Sequence, residues 1–170
     1  RRVDRVSSHA AQLAKSVCFY SPWQFLYWYD RPHASTPESP KDAPNVIGEE
    51  PELEFFDLLP TVWDDTKVIH GEIGKYAVIA RRSGEQWFIG CLNGAEDRIL
   101  EVPLSFLDPS VAYVAHLYAD DPFTQTRTRV RIDRYLVDYQ TTLKCKLWAQ
   151  GGMAIRLLPN SDKSTYPPYP

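Results

Sequence analysis

The sequence predicts a mainly β fold: an antiparallel β-sandwich of about eight strands, preceded by the last helix-strand-helix elements of a truncated (β/α)8 barrel. Three observations carry this. The apolar period switches from 3.6 to 2 after Pro60, short apolar runs broken by turn residues then recur to about residue 158, and seven of the 14 prolines cluster between Pro22 and Pro60 where the character changes. The domains expected are a barrel remnant over 1–59, including a Pro-rich loop at 32–50, a sandwich over 60–160, and a flexible tail at 161–170.

The first helix follows from Val6, Ala10, Leu13, Ala14, Val17 and Tyr20, which recur on one helical face with Gln12, Lys15 and Ser16 between them. Ser7 or Ser8 can cap it, and Pro22 ends it. Trp23 to Tyr29 is then a dense aromatic run, too short for a helix and rich in strand formers, closed by Asp30-Arg31-Pro32. It reads as a strand buried on both faces, as parallel barrel strands are. After the polar loop, Pro51 to Leu59 is a short helix with Pro in its first turn and acids near its positive end.

Strands are expected at about 67–70, 75–82, 86–93, 97–104, 111–119, 127–136, 140–148 and 153–158. The clearest alternation sets Leu143, Cys145 and Leu147 against Lys144 and Lys146. Arg82-Ser83-Gly84-Glu85 makes a tight hairpin, and Asn93-Gly94 and Gly151-Gly152 mark further turns. The last ten residues, Ser161 to Pro170, carry no core-building pattern.

Composition bounds the function. The chain has 170 residues, 44% hydrophobic and 24% charged, with 19 Lys+Arg against 22 Asp+Glu. A net charge of −3 gives no footprint for nucleic acid or an anionic membrane. No apolar run approaches the roughly 18 residues a bilayer span needs. Three cysteines, all in apolar segments and without C-x-x-C spacing, read as buried free thiols. The absence of an initiating Met reads as a piece cut from a longer protein, so the missing signal peptide carries no weight.

Several blocks resemble the C-terminal part of glycoside hydrolase family 97, the α-glucosidases and α-galactosidases of polysaccharide-utilising bacteria. They are His9 to Gln24 with Phe25 to Asp30, then Leu59-Pro-Thr-Val-Trp-Asp-Asp-Thr-Lys-Val68, Gly71-Glu-Ile-Gly-Lys-Tyr76 and Ala80 to Gly90, and lastly Gly151-Gly-Met-Ala-Ile-Arg156. The resemblance implies an N-terminal super-sandwich, a catalytic (β/α)8 barrel with calcium at its active site, and a C-terminal sandwich associated with oligomerisation. The family's acid, base or nucleophile and calcium-binding glutamates would lie upstream of Arg1. No catalytic and no metal-binding residue is therefore assigned here, and calcium is expected only in the upstream barrel. The partners implied are the remainder of the barrel, a homo-oligomer, and oligosaccharide bound by the parent enzyme, with an exported, periplasmic location.

Asp30 is the candidate substrate-binding residue, because it follows the aromatic strand at the barrel end where active sites assemble; a solvated Asp-Arg-Pro turn is the other reading. Asp64-Asp65 reads as a turn pair bonding backbone N–H groups, since adjacent carboxylates point apart and suit neither glycosidase geometry. His9, His33, His70 and His116 share no metal-ligand spacing. Arg127, Arg129, Arg131 and Arg134 form a basic stripe typical of a solvated edge. Trp63 and Trp87 read as core. The alternative function is a carbohydrate-binding module. Exposure discriminates: it needs a coplanar exposed strip among Trp87, Tyr113, Tyr118, Tyr135, Tyr139 and Trp148.

Overall fold

A computed structural model describes residues 7–25, 28, 31–32 and 46–170. The first helix, α1, runs His9–Cys18 with Ser8 as its N-cap. Two two-residue strands, β1 (Arg31–Pro32) and β2 (Val46–Ile47), pair in parallel. A 3-10 turn, Pro51–Leu53, opens into α2, Glu54–Asp57.

Eight longer strands follow: β3 (Asp65–Glu72), β4 (Tyr76–Ser83), β5 (Gln86–Asn93), β6 (Arg98–Pro103), β7 (Tyr113–Asp120), β8 (Val130–Val137), β9 (Thr142–Leu147) and β10 (Gly152–Pro159). Each expected strand is present, with ends within three residues of those read from the alternation. They pair antiparallel into a six-stranded sheet, β3-β4-β5-β10-β7-β8, and a two-stranded one, β6-β9.

The period-2 pattern puts Trp87, Ile89 and Cys91 of β5 and Met153, Ile155 and Leu157 of β10 on one face, against Leu143, Cys145 and Leu147 of β9. This is the main core, between the sheets. The opposite face of the large sheet carries Phe88, Tyr118, Val130 and Ala154, and these pack with Ala10, Leu13 and Val17 of α1, Trp28 and Phe55. The strands β5 and β10 are buried on both faces, which is why they read as continuous apolar runs. The sandwich thus has a third layer, made of α1 and the segment around α2.

Two expectations need correction. Residues 21–25 form no strand: Trp23 and Phe25 are 77% and 90% exposed. A single strand without ladder partners on either side leaves its backbone unpaired. The segment bends instead, with Gln24 Nε2 donating to the carbonyls of Ser16, Phe19 and Ser21 at 3.0, 3.0 and 3.2 Å. Trp28 alone of the run is buried among the described residues; Asp30, Tyr27 and Tyr29 lie outside them. The end of the chain is also held. Leu136 N donates to Pro167 O at 2.8 Å, Tyr169 N to Leu136 O at 3.0 Å, and Lys144 N to Tyr169 Oη at 2.9 Å. The Tyr169 ring packs on Tyr135 and bridges the β8 and β9 edges of the two sheets. Residues 7–18, within the segment expected as a barrel remnant, pack on the sandwich, where α1 completes the core on the large sheet's outer face.

Candidate functional site

Two side chains of opposite charge on the large sheet's outer face hold α1 at its ends. At the N-terminus, Ser8 Oγ accepts from Ala11 N at 3.0 Å and donates to Asp120 Oδ2 at 2.5 Å. The same carboxylate oxygen accepts from Gly152 N at 2.9 Å. Burial pushes the Asp120 carboxyl above its usual range, and these hydrogen bonds oppose the shift. At the C-terminus, Arg81 Nε donates to Val17 O at 2.7 Å and Nη2 to Cys18 O at 3.4 Å. An anion at the first turn and a cation at the last match the helix dipole.

Between those ends the helix backbone lies directly on the sheet. A Cβ at Gly90 would stand 2.5 Å from the Ala14 carbonyl oxygen and 2.7 Å from Cys18 Sγ, and one at Gly152 would stand 2.7 Å from Ala11 Cα. Only glycine permits that approach. Cys18 Sγ donates to Gly90 O at 3.3 Å, and burial pushes its thiol up to about 12. This thiol is a packing group, not a nucleophile.

Beside α1 a polar row crosses three strands, with Arg134, His116 and Arg156 in register on β8, β7 and β10. Glu54 of α2 closes over it, accepting from Tyr118 Oη at 2.7 Å and Arg134 Nη2 at 3.1 Å. Arg156 Nε donates to Gln86 Oε1 at 2.9 Å. Burial first, then the two arginines, push His116 down to about 4, so its ring is neutral. The described residues include four buried polar atoms without a hydrogen-bond partner: Trp28 Nε1, Glu50 Oε1, Glu52 Oε1 and His116 Nδ1. All four belong to this outer layer, and none to the core between the sheets.

The sequence-predicted residues fall as follows. Asp30 lies outside the described residues. Asp64 stands in the bend before β3 and Asp65 opens that strand, and both bond backbone N–H groups: Gly84 N donates to Asp64 Oδ2 and Thr66 N to Asp65 Oδ1, each at 2.7 Å. The basic stripe is paired piecemeal, Arg127 with Glu50, Arg131 with Asp121 and Asp133, and Arg134 with Glu54. Trp87, Tyr113 and Tyr118 are buried, and Tyr135, Tyr139 and Trp148 stand on different strands and turns. No coplanar strip of the kind a binding module needs is formed by these six. Among the described residues no three His, Cys, Asp or Glu side chains are grouped to hold an ion, so they do not fit the calcium implied for the barrel. The clamp itself was missed, although isolated glycines and an arginine inside apolar strands were its visible signals.

Comparison with known proteins agrees with this architecture. The family model described as "Glycosyl-hydrolase 97 C-terminal, oligomerisation" matches residues 62–158. A retaining α-galactosidase of Bacteroides thetaiotaomicron is 32% identical over 148 residues, which are 86% of this chain and 20% of that protein. A family 97 enzyme of Pseudoalteromonas sp. strain K8, solved with acarbose, superposes with a TM-score of 0.70 at 25% identity, over 91% of this chain and 23% of its own. A β-arabinopyranosidase shares the fold, at a TM-score of 0.64 and 23% identity, over 89% of this chain and 21% of its own. The chain thus spans about a fifth of the length of the curated relatives it matches. A family match over more than half of the chain, on a layered sandwich of the same fold, shows that the chain belongs to glycoside hydrolase family 97, of which it carries the C-terminal oligomerisation domain.

Proposed function

We propose that the chain is the structural and self-associating end of an exported enzyme that hydrolyses α-galactosidic or α-glucosidic bonds. The observation that carries this is the clamp on α1. A helix fixed at both ends and seated on two glycines turns the sandwich and the preceding helix into one rigid body, suited to bracing a barrel. Phe19, Tyr20, Trp23 and Phe25 project from the end of that helix as exposed aromatics. They sit on the same outer layer as Trp28 Nε1 and His116 Nδ1, buried atoms without a hydrogen-bond partner, and a barrel packed there covers both. The catalytic carboxylates and any calcium belong to that barrel, and Asp30 contacts sugar there. The family description favours a second copy of the protein as the partner of the sandwich.

Two measurements test this. Sedimentation equilibrium of the chain is expected to show reversible self-association, and a monomer at every loading concentration would remove the oligomerisation role. Incubated with p-nitrophenyl α-galactoside or α-glucoside and calcium, the chain is expected to release nothing above background. Turnover that survives repurification would overturn the assignment of catalysis to the barrel.

A further inference from the structure

Beyond the clamp, a second feature of the sandwich is built for a small ligand. The strand ends at one end of the large sheet enclose an open cavity of about 560 Å³, lined by the 121–129 loop, the 148–151 turn and the residues opening α1. That volume lies within the range of small-molecule sites, ~300–1,000 Å³. Its apolar wall is Trp148, which also lines a second cavity of about 280 Å³. The Lys146 ammonium stands in that second cavity, 4.1 Å from the indole centroid. The indole is held in place because Nε1 donates to Asp120 O at 3.2 Å.

The cavity is preformed. Gln150 N donates to Gly94 O at 2.6 Å, Asp121 N to Arg129 O at 2.9 Å, and Arg129 N to Thr126 O at 3.3 Å. Arg129 and Gln150, with φ of 56° and 58°, are two of the three non-glycine residues at positive φ among those described, and both stand on its rim.

Its carboxylates and Arg127 are already engaged, while the exposed Arg129 guanidinium on the rim is left to donate. Asp120 is consumed by Ser8 and Gly152, Asp121 accepts from Phe123 N and Arg131, and Arg127 pairs with Glu50. A site with an aromatic wall, engaged carboxylates and a solvated guanidinium that can donate to hydroxyls suits a neutral polyol with one apolar face. We propose that the Trp148 cavity binds a pyranose unit of a neutral saccharide, stacked on the indole and hydrogen-bonded by Arg129 and Gln150, as a non-catalytic sugar site on the sandwich. The choice of probe rests on the glycosidase reading; the cavity does not.

The experiment titrates the whole chain with methyl α-galactopyranoside and, separately, methyl α-glucopyranoside. It follows the Trp148 indole N–H in a nitrogen-labelled sample. A saturable shift is expected, with a dissociation constant on the order of 1 mM for at least one glycoside. Trp148→Ala should weaken binding at least about tenfold and Trp148→Phe should restore part of it, since a ring face is what the sugar needs. Arg129→Ala, a surface change that spares the fold, should weaken it several-fold. Absence of a saturable shift with both glycosides would overturn the proposal, as would unchanged affinity in both Trp148→Ala and Arg129→Ala. Sedimentation of the same samples is independent of the cavity, so a failed titration leaves the oligomerisation reading standing.

Discussion

Arg81 Nε lies 2.7 Å from the carbonyl oxygen of Val17, so a cation planted in the second strand of the large sheet terminates the helix that crosses it. Arg81 is only 6% exposed and makes no ion pair among the described residues. Its charge is balanced by helix carbonyls, by the Thr66 hydroxyl at 3.1 Å, and by the Tyr20 ring 5.1 Å away. A lysine could reach one of these partners; the planar fork reaches all of them.

Arg81→Met keeps the apolar stem and removes the fork, leaving the last carbonyls of α1 unpaired in the interior. Stability is expected to fall by about 1.5–3 kcal/mol, the usual cost of losing a charged hydrogen bond. Urea unfolding checks this through a lower midpoint at unchanged m-value. A loss within about 0.5 kcal/mol, the range of ordinary surface changes, would show that the contact is incidental.

Gly90→Ala and Gly152→Ala each force a methyl group into the helix backbone. Both should destabilise by roughly 1–3 kcal/mol, as overpacked cores do. Gly71→Ala is the control, since its Cβ would meet only the Tyr76 carbonyl oxygen, at 3.8 Å. Thermal melts that rank the three variants alike would contradict the seating of α1.

Removing residues 1–24 strips the outer layer from Phe88, Tyr118 and Ala154. The remaining sandwich is expected to lose its single cooperative transition and to aggregate, where a free-standing sandwich would gain solubility. Light scattering and calorimetry on the shortened chain separate the two outcomes.

His116 gives a pH signature. Its folded value of about 4 lies below the ordinary 6.5, so between the two the unfolded chain binds a proton that the fold refuses. Its contribution is whole above pH 6.5 and is lost as pH falls toward about 4. Glu52 and Asp120, both raised by burial, act in the opposite sense, contributing most at low pH and less as pH rises through their folded range. His116→Gln should therefore flatten the acid limb relative to the parent chain. Denaturation midpoints from pH 4 to 7 for both proteins check it, and parallel curves would rule His116 out.

The eight strands were legible because a half-buried strand writes its two faces into alternate residues, as Leu143, Cys145 and Leu147 do beside Lys144 and Lys146. The site was less so. An amphipathic helix declares that one face is covered but not by what, and the periodicity of Ala10, Leu13 and Val17 serves a barrel and a sandwich equally well. Gly90, Gly152 and Arg81 held the answer, but each becomes informative only when the strand pairing brings it beneath the helix. The run from Trp23 misled because composition records strand propensity and not the presence of strand neighbours. Tyr169 and Pro167 were missed for the same reason: their partners lie more than twenty residues away in sequence.

The family match begins at residue 62, whereas the packing described above begins at Ser8. For anyone exchanging these sandwiches between enzymes, or tracing how genes have recombined, the transferable block is therefore larger than the domain boundary suggests. A chimera joined near residue 62 would marry a foreign helix to Gly90, Gly152, Asp120 and Arg81, and would succeed only where that helix offers small residues at the two glycines and a hydroxyl at its cap. A junction placed ahead of Ser7 carries the lock and its key together.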